Sequence, residues 1–419
     1  MAASSSSSSS TSRYRRSSGP SSSSLSRRNA GHGVSVGTSS SSTTHHTINL
    51  LAPVVIEFGS SYIRIGLSGE AVPRHIIPTP SQLATLPNSN TLQIETETEW
   101  DGILYPLLSN ISTDLLLLKN LKARPVIIVE PIVSPTAFRN AICKSLLDWL
   151  SAPSVTFVPG AASVALPYGL GLGQGVVVDV GRVEGRVMIV AGENGRPLID
   201  TFRACPCGIE QFAYNFMEIH NTSSSSKTCD ISSVEDAILL LEKYFVSGDG
   251  ELALPSSGQK IQINGKMVET SLNDTYFDVA NPESLLRCLL SVVSSCPIDL
   301  RRDVLGNVIF IGGTVEFISN FERRMLKAVA DAFGPAGDAD TCKKPAFHSL
   351  RPLLHNENGG LGVVHPLPFS PSAFAWTAAS VMGTTVLPPD QTVTQKVYKD
   401  MKQSDSSVAD VCYDFLSTV

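Results

Sequence analysis

Two short segments of this chain combine an acid, a glycine and a cation at matching intervals. VVIEFGSSYIRIGLSGEAVPR at 54–74 lies over VVVDVGRVEGRVMIVAGENGR at 176–196 with a constant offset of 122 and no gap. Glu57 falls on Asp179, Gly59 on Gly181, Arg64 on Arg186 and Arg74 on Arg196. Each segment reads as an apolar strand, a glycine turn and a second strand. Tight turns offer backbone N–H groups, and an acid at the end of each strand can order the water shell of a metal ion. A third element, NVIFIGGT at 307–314, runs a buried strand into Gly312, Gly313 and Thr314. Glycine has no Cβ, so backbone there can approach a ligand closely. Together these turns can converge on a phosphate chain.

Such turns need a scaffold. The sequence predicts helices over 134–150, 234–245, 282–296 and 315–333, separating the strands, and this alternation indicates an α/β class with largely covered sheets. The repeated hairpin implies two similar α/β halves that face each other. Residues 221–230, 247–260 and 335–362, rich in Ser, Gly, Pro and Asn, read as loops.

Composition narrows the classes further. With 419 residues, 42% of them hydrophobic, the chain can build a large core. No apolar run approaches the roughly 18 residues that span a bilayer, and residues 1–50 contain no apolar core of a secretory signal, so a soluble intracellular protein without a membrane span is expected. Serine fills 20 of the first 45 positions, which leaves that segment nothing to bury, and residues 1–50 are expected to be a disordered Ser/Arg-rich tail. Order is expected from Leu51. Net charge is −6, and five arginines with no acid in residues 1–50 leave about −11 for the body, which argues against direct nucleic-acid binding. The eight cysteines lack paired CxxC spacing, and they are expected to be reduced, mostly buried thiols, the C-P-C pair Cys205 and Cys207 included. No metal site is expected among them.

Taken in order, these segments resemble the actin superfamily. GLSGEAVPRHIIPT at 66–79 is similar to the stretch after actin's first phosphate loop, CPIDLRRDVLGNVIFIGGTVEFISNFERRM at 296–325 to the one carrying its I-D-x-R and G-G-T motifs, and FAWTAASVMG at 374–383 to the segment with the family's tryptophan. The resemblance covers most of Val54 to Asp400. It implies an actin-like fold, with duplicated ribonuclease-H-like halves around a nucleotide cleft. The first domain would span 51–165, completed by 366–419, and the second 166–365. It also implies a first phosphate loop at Gly59, Ser60 and Ser61, with Glu57 ending the preceding strand and Arg64 standing where actin has a phosphate-contacting lysine. The second loop would centre on Asp179 and Gly181, while Gly312, Gly313 and Thr314 would lie beside the nucleotide. The implied ligand is ATP or ADP with magnesium.

The departures from the family pattern bear on activity. Glu57 replaces an aspartate, Arg182 stands where actin has a second acid, and Gly160 stands where the glutamine that orients the attacking water belongs. Phosphoryl transfer rests on positioning and charge stabilisation, so the chain is expected to be no enzyme, with ATP hydrolysis very slow or absent. The stretch from Pro78 to Val126 is too short for actin's full second subdomain and its clasping loop, which suggests a filament cap. The opposite end surface is expected from the helix starting at Val315, with Phe317 as a candidate contact, and from the segment around Trp376. VEPIVSPTAFR at 129–139 and CPIDLRRDVLGNVIFIGGT at 296–314, with the reduced second subdomain, resemble the actin-related class at the pointed end of dynactin. The implied partners are therefore actin-like filament subunits, the pointed-end subunits of dynactin and, indirectly, dynein, in the cytoplasm and cytoskeleton. The alternative is a nuclear actin-related subunit of a chromatin-remodelling or acetyltransferase complex.

Overall fold

Runs of β-branched residues form the strands that carry the repeated hairpins. The computed structural model describes residues 51–84, 97–192, 195–223, 231–333, 347–355, 360–404 and 406–408. The serine-rich segment 1–50 lies outside the described residues, as do 224–230 of one expected loop and most of another, 335–362. All described residues belong to one compact unit.

Sheet A contains β1 (Val54–Phe58), β2 (Tyr62–Leu67), β3 (His75–Pro78), β4 (Val126–Glu130) and β5 (Ser154–Pro159), with β12 (Thr392–Thr394) on its far edge, in the order β12-β5-β4-β1-β2-β3. Sheet B contains β6 (Gly175–Val180), β7 (Gly185–Ala191), β8 (Arg196–Cys205) and β11 (Val308–Ile311), in the order β11-β6-β7-β8. The same four-strand motif recurs in both. β4 runs parallel to β1, which pairs antiparallel with β2 and β2 with β3; likewise β11 runs parallel to β6, followed by β7 and β8. Each hairpin thus has one parallel neighbour that drives a further loop toward its turn.

The repeat ends at the third strand. Ile65 pairs with His75 in sheet A, but its counterpart Val187 pairs with Arg203, and a bulge separates Val187 from Ile189. Arg74 and Arg196 accordingly differ in role. Arg74 pairs with Glu70 at 2.6 Å, while Arg196 lies 4.0 Å from Asp390 on the surface.

Three apolar clusters hold the sheets. On the outer face of sheet A lie α1 (Glu97–Asn110) and α2 (Thr136–Cys143), where Trp100 meets Phe138 edge-on at 5.2 Å. On the outer face of sheet B lie α3 (Ile209–Ser223), α4 (Val234–Ser247) and α5 (Leu285–Ser295), together with α6 (Gly313–Phe317) and α7 (Phe321–Phe333). The third cluster joins inward residues of both sheets, such as Val55, Ile127, Val177 and Ile309, to α8 (Phe374–Met382). Since α8 is apolar or small almost all round, it can be buried on every side. Trp376 at its centre is fully buried and donates its indole N–H to the Val55 carbonyl at 3.1 Å. Gly66 must be glycine here, because a Cβ would lie 2.7 Å from the Trp376 ring.

Three expectations are corrected. The helix predicted over 315–333 is two helices, since Ile318 is extended and Asn320 takes φ +57°, a left-handed conformation that asparagine tolerates. The expected loop 247–260 instead forms a hairpin of β9 (Gly250–Ala253) and β10 (Lys260–Ile263). Neither Phe317 nor Trp376 supplies an exposed surface. Phe317 packs against Phe245 with ring centroids 5.4 Å apart. The segment after Trp376 reaches the surface further on, where Met382, Pro388 and Gln391 line a cavity of about 480 Å³ with Tyr168 and Leu172.

Candidate functional site

Strands β1 and β6, one in each sheet, deliver Glu57 and Asp179 to the two turns. Glu57 faces Arg64 across the first hairpin, and Asp179 faces Arg186 across the second, so the sequence offset of 122 is also a register. Arg64 Nη1 donates to Glu57 Oε1 at 3.2 Å, with 13% and 15% of the two side chains exposed. In the second hairpin Arg186 Nη1 stands 3.9 Å from Asp179 Oδ2 and binds Glu184 through Nε at 2.7 Å. Glu57 Oε2 and Arg64 Nε are buried without a hydrogen-bond partner.

Both turns close in the same way. Gly59 N–H donates to the Tyr62 carbonyl at 3.1 Å, and Gly181 N–H to the Glu184 carbonyl at 3.0 Å. Each glycine carbonyl is then held by a threonine hydroxyl. Thr79 Oγ1 donates to Gly59 O and Thr314 Oγ1 to Gly181 O, both at 2.7 Å. Thr79 is the residue the sequence reasoning missed, and no offset could have found it. Thr201, its counterpart at 122, serves instead within β8, donating to Leu198 O.

The double glycine ties β11 to the second hairpin. Gly312 takes φ +102°, and a Cβ on it would collide with the Val180 carbonyl and come 2.8 Å from Asp179 Oδ1. Its N–H donates to Pro371 O at 2.8 Å. Gly313 opens α6, and no atom lies within 4 Å of its Cβ position. On α6, Glu316 accepts from Ser370 Oγ at 2.5 Å and Ser372 N–H at 3.0 Å.

Electrostatics couple these pieces. Burial pushes the Glu57 carboxyl above its ordinary range; Arg64 opposes that shift and the Asp179 charge adds to it. Burial raises Asp179 as well, against Arg186 and then Arg64, with Glu184 adding. Burial also raises Glu316, but the bonds from Ser370 and Ser372 and the Arg64 charge outweigh it and hold the carboxyl below its usual range. The structure thus brings together Glu57, Gly59, Arg64, Asp179, Gly181, Gly312 and Thr314. Ser60 and Ser61 are half-exposed at the first turn, where Ser61 O accepts from Thr79 N–H at 3.0 Å.

The other two departures from the family pattern, Arg182 and Gly160, also have structural partners. Arg182 turns to the helices behind its loop, binding Glu210 on α3 through Nε at 2.6 Å and Glu235 on α4 through Nη2 at 3.0 Å. Gly160, with φ +71°, donates its N–H to Glu130 O at 2.7 Å, and a Cβ there would overlap Ile132 Cγ1.

These parts fit a phosphate chain better than a metal. The turn backbones and the open side of Gly313 suit close approach by phosphate oxygens. The two acids that would order a magnesium shell already face guanidinium groups, and among the described residues no group of three or more His, Cys, Asp or Glu is arranged to hold a metal.

Two sheets built on one repeated four-strand motif, with glycine turns meeting at Asp179 and Gly312, define an actin-like α/β protein. No family model matches the sequence. Among curated proteins, the chain is 20% identical to actin-related protein 10 of Dictyostelium discoideum, over 65% of this chain and 72% of that one. It is 22% identical to an actin-like protein of Neurospora crassa, over 66% and 83%, and 25% identical to actin-like protein 7A of Homo sapiens, over 66% and 71%. These likenesses support a divergent actin-related protein.

Proposed function

We propose that this chain is a non-hydrolysing structural subunit that caps the pointed end of dynactin's actin-like filament and so supports dynein-driven transport along microtubules, in the cytoplasm and cytoskeleton. The observation that carries the reading is the shortness of the chain between β3 and α1. Only residues 79–96 separate Pro78 from Glu97, and α1 then folds back onto sheet A through Trp100, Leu104 and Leu108. Filament growth repeats a heterologous head-to-tail contact indefinitely, so a subunit that lacks one of the two surfaces ends the series. The likeness to actin-related protein 10 supports the same class.

The cleft takes an adenine nucleotide, ATP or ADP, without turning it over. Arg182 is tied to Glu210 and Glu235, and Gly160 has no room for a side chain that would orient water.

Electron microscopy of the purified full chain under polymerising conditions tests the cap. Monomers, or single subunits at one end of a partner actin-like filament, are expected; long homopolymers would refute it. Affinity purification supplies the second arm. Dynactin subunits in the eluate support the reading, whereas remodelling ATPases would replace it with a nuclear complex.

A further inference from the structure

The turn that enters α3 places two thiols beneath the second hairpin. β8 ends at Cys205, and Pro206 and Cys207 lead on toward α3 at Ile209. Cys207 N–H donates to the Cys205 carbonyl at 2.7 Å and closes a three-residue turn, with proline at its centre, whose ring fixes φ near the value such a turn needs. The two sulfurs stand 2.9 Å apart. A disulfide bond is about 2.05 Å long, so a shift of less than about 1 Å would join them.

Both sulfurs lie on Gly185, where β7 begins. A Cβ there would come 2.5 Å from Cys207 Sγ and 3.4 Å from Cys205 Sγ, and Cys205 Sγ donates to the Gly185 carbonyl at 3.6 Å. The same turn braces the glycine loop beside it. Ile209 N–H donates to Gly181 O at 3.2 Å and Glu210 N–H to Arg182 O at 3.0 Å, while a Cβ on Gly208 would collide with Arg182 O. The two thiols are buried, but Ala204 and Pro206 beside them are exposed, so a small oxidant has little depth to cross.

We propose that Cys205 and Cys207 are a redox site, at which hydrogen peroxide converts the two thiols into one disulfide that stiffens the turn bracing Gly181 and Arg182. The Cys205 sulfur attacks one peroxide oxygen, the O–O bond breaks, and a sulfenic acid and one water form. The Cys207 sulfur then displaces the sulfenic oxygen as a second water while the S–S bond forms. Each sulfur gives up one electron, the peroxide takes both, and the two thiol protons leave in the waters. Dithiothreitol reverses the change by thiol–disulfide exchange. The bond to Cys207, with burial, raises the Cys205 thiol above its ordinary range, so little thiolate is present at neutral pH and the first step is slow. The second step is favoured by the held geometry. Neither the partner nor the nucleotide proposed above enters this chemistry.

The folded full chain is treated with millimolar hydrogen peroxide, cleared with catalase, denatured in excess iodoacetamide and digested with trypsin. Cys205 and Cys207 both fall in the tryptic peptide 204–227, whereas Cys288 falls in 288–301. Before oxidation peptide 204–227 should carry two alkyl groups. Afterwards it should carry none and weigh two hydrogens less than the dithiol, and dithiothreitol added before alkylation should restore both groups. Amide exchange over 208–210 should be several-fold slower in the oxidised chain. Cys207→Ser should abolish the two-hydrogen loss, and Cys288→Ser should leave it. Both alkyl groups retained after peroxide, a cross-link to peptide 288–301 in place of the internal bond, or sulfinic acid on Cys205 as the main product would each overturn the redox site; unchanged exchange over 208–210 would overturn the stiffening. If Cys207→Ser does not fold, the peptide masses from the unaltered chain decide by themselves.

Discussion

Gly160 and Ile132 occupy one space: a Cβ on the glycine would overlap Ile132 Cγ1 and stand 2.9 Å from Cδ1. The glutamine expected of an active relative is thus excluded by packing as well as absent from the sequence. Gly160→Gln should destabilise the fold by about 1–3 kcal/mol through overpacking, with positive φ adding strain. Ile132→Ala in the same chain should recover part of the loss. Urea unfolding measures both, and phosphate release should stay near zero in each variant. Turnover gained by Gly160→Gln alone would overturn the proposal that the cleft as a whole is inactive.

Arg139 and Glu130 form an ion pair with 1% and 0% of their side chains exposed, with the arginine Nε donating at 2.8 Å and the guanidinium lying over Phe157. It fastens α2 to the end of β4. Removing one partner leaves a charge in the core, so Arg139→Met should cost about 3–5 kcal/mol in chemical denaturation. Replacing Glu130 with leucine in the same chain should return much of it.

Arg182 is about one-third exposed, so its two ion pairs are screened by solvent. Arg182→Ala should cost about 1 kcal/mol or less, and less still at high salt. Affinity for adenine nucleotide, measured by fluorescence titration, should not change. A marked fall in affinity would place this side chain on the phosphates instead.

Glu57 and Asp179 have carboxyls raised above their ordinary values of 4.5 and 3.8, chiefly by burial. The fold therefore holds their protons more tightly than the unfolded chain does. The stability they contribute is present in full below those ordinary values and is lost as pH rises through the higher folded values. Thermal midpoints from pH 3.5 upward should fall less for Glu57→Gln with Asp179→Asn than for the parent chain. A pH profile unchanged by the double substitution would contradict the burial argument.

The hairpins were legible because three consecutive β-branched residues before an acid, one more residue and a glycine specify a buried strand end, and the repetition at a fixed offset gave the register as well. Thr79 and Thr314 do equivalent work at positions that no offset relates, since one directly follows β3 and the other lies on α6 just after β11. Glu316 escaped notice because its partners Ser370 and Ser372 are more than fifty residues away. The hairpin of β9 and β10 was hidden by strands only four residues long amid Gly, Ser and Pro. Asn320 interrupts an unbroken helical periodicity, and a single left-handed residue leaves that pattern intact. Phe317 illustrates the limit for single aromatics, whose types do not distinguish a core contact from a surface one.

The bond from Trp376 to Val55 O joins residues 321 apart in the sequence. The inner face of sheet A is covered by α8, and its far edge is closed by β12, both near the end of the chain. During synthesis β1 therefore leaves the ribosome long before its covering helix exists, and contacts of such separation form slowly because the intervening chain must first be brought together. A nascent chain stalled before residue 374 would expose Val55, Ile127 and Val177 as an uncovered apolar surface. The late arrival of α8 leaves that surface open to misassociation until synthesis has passed residue 382.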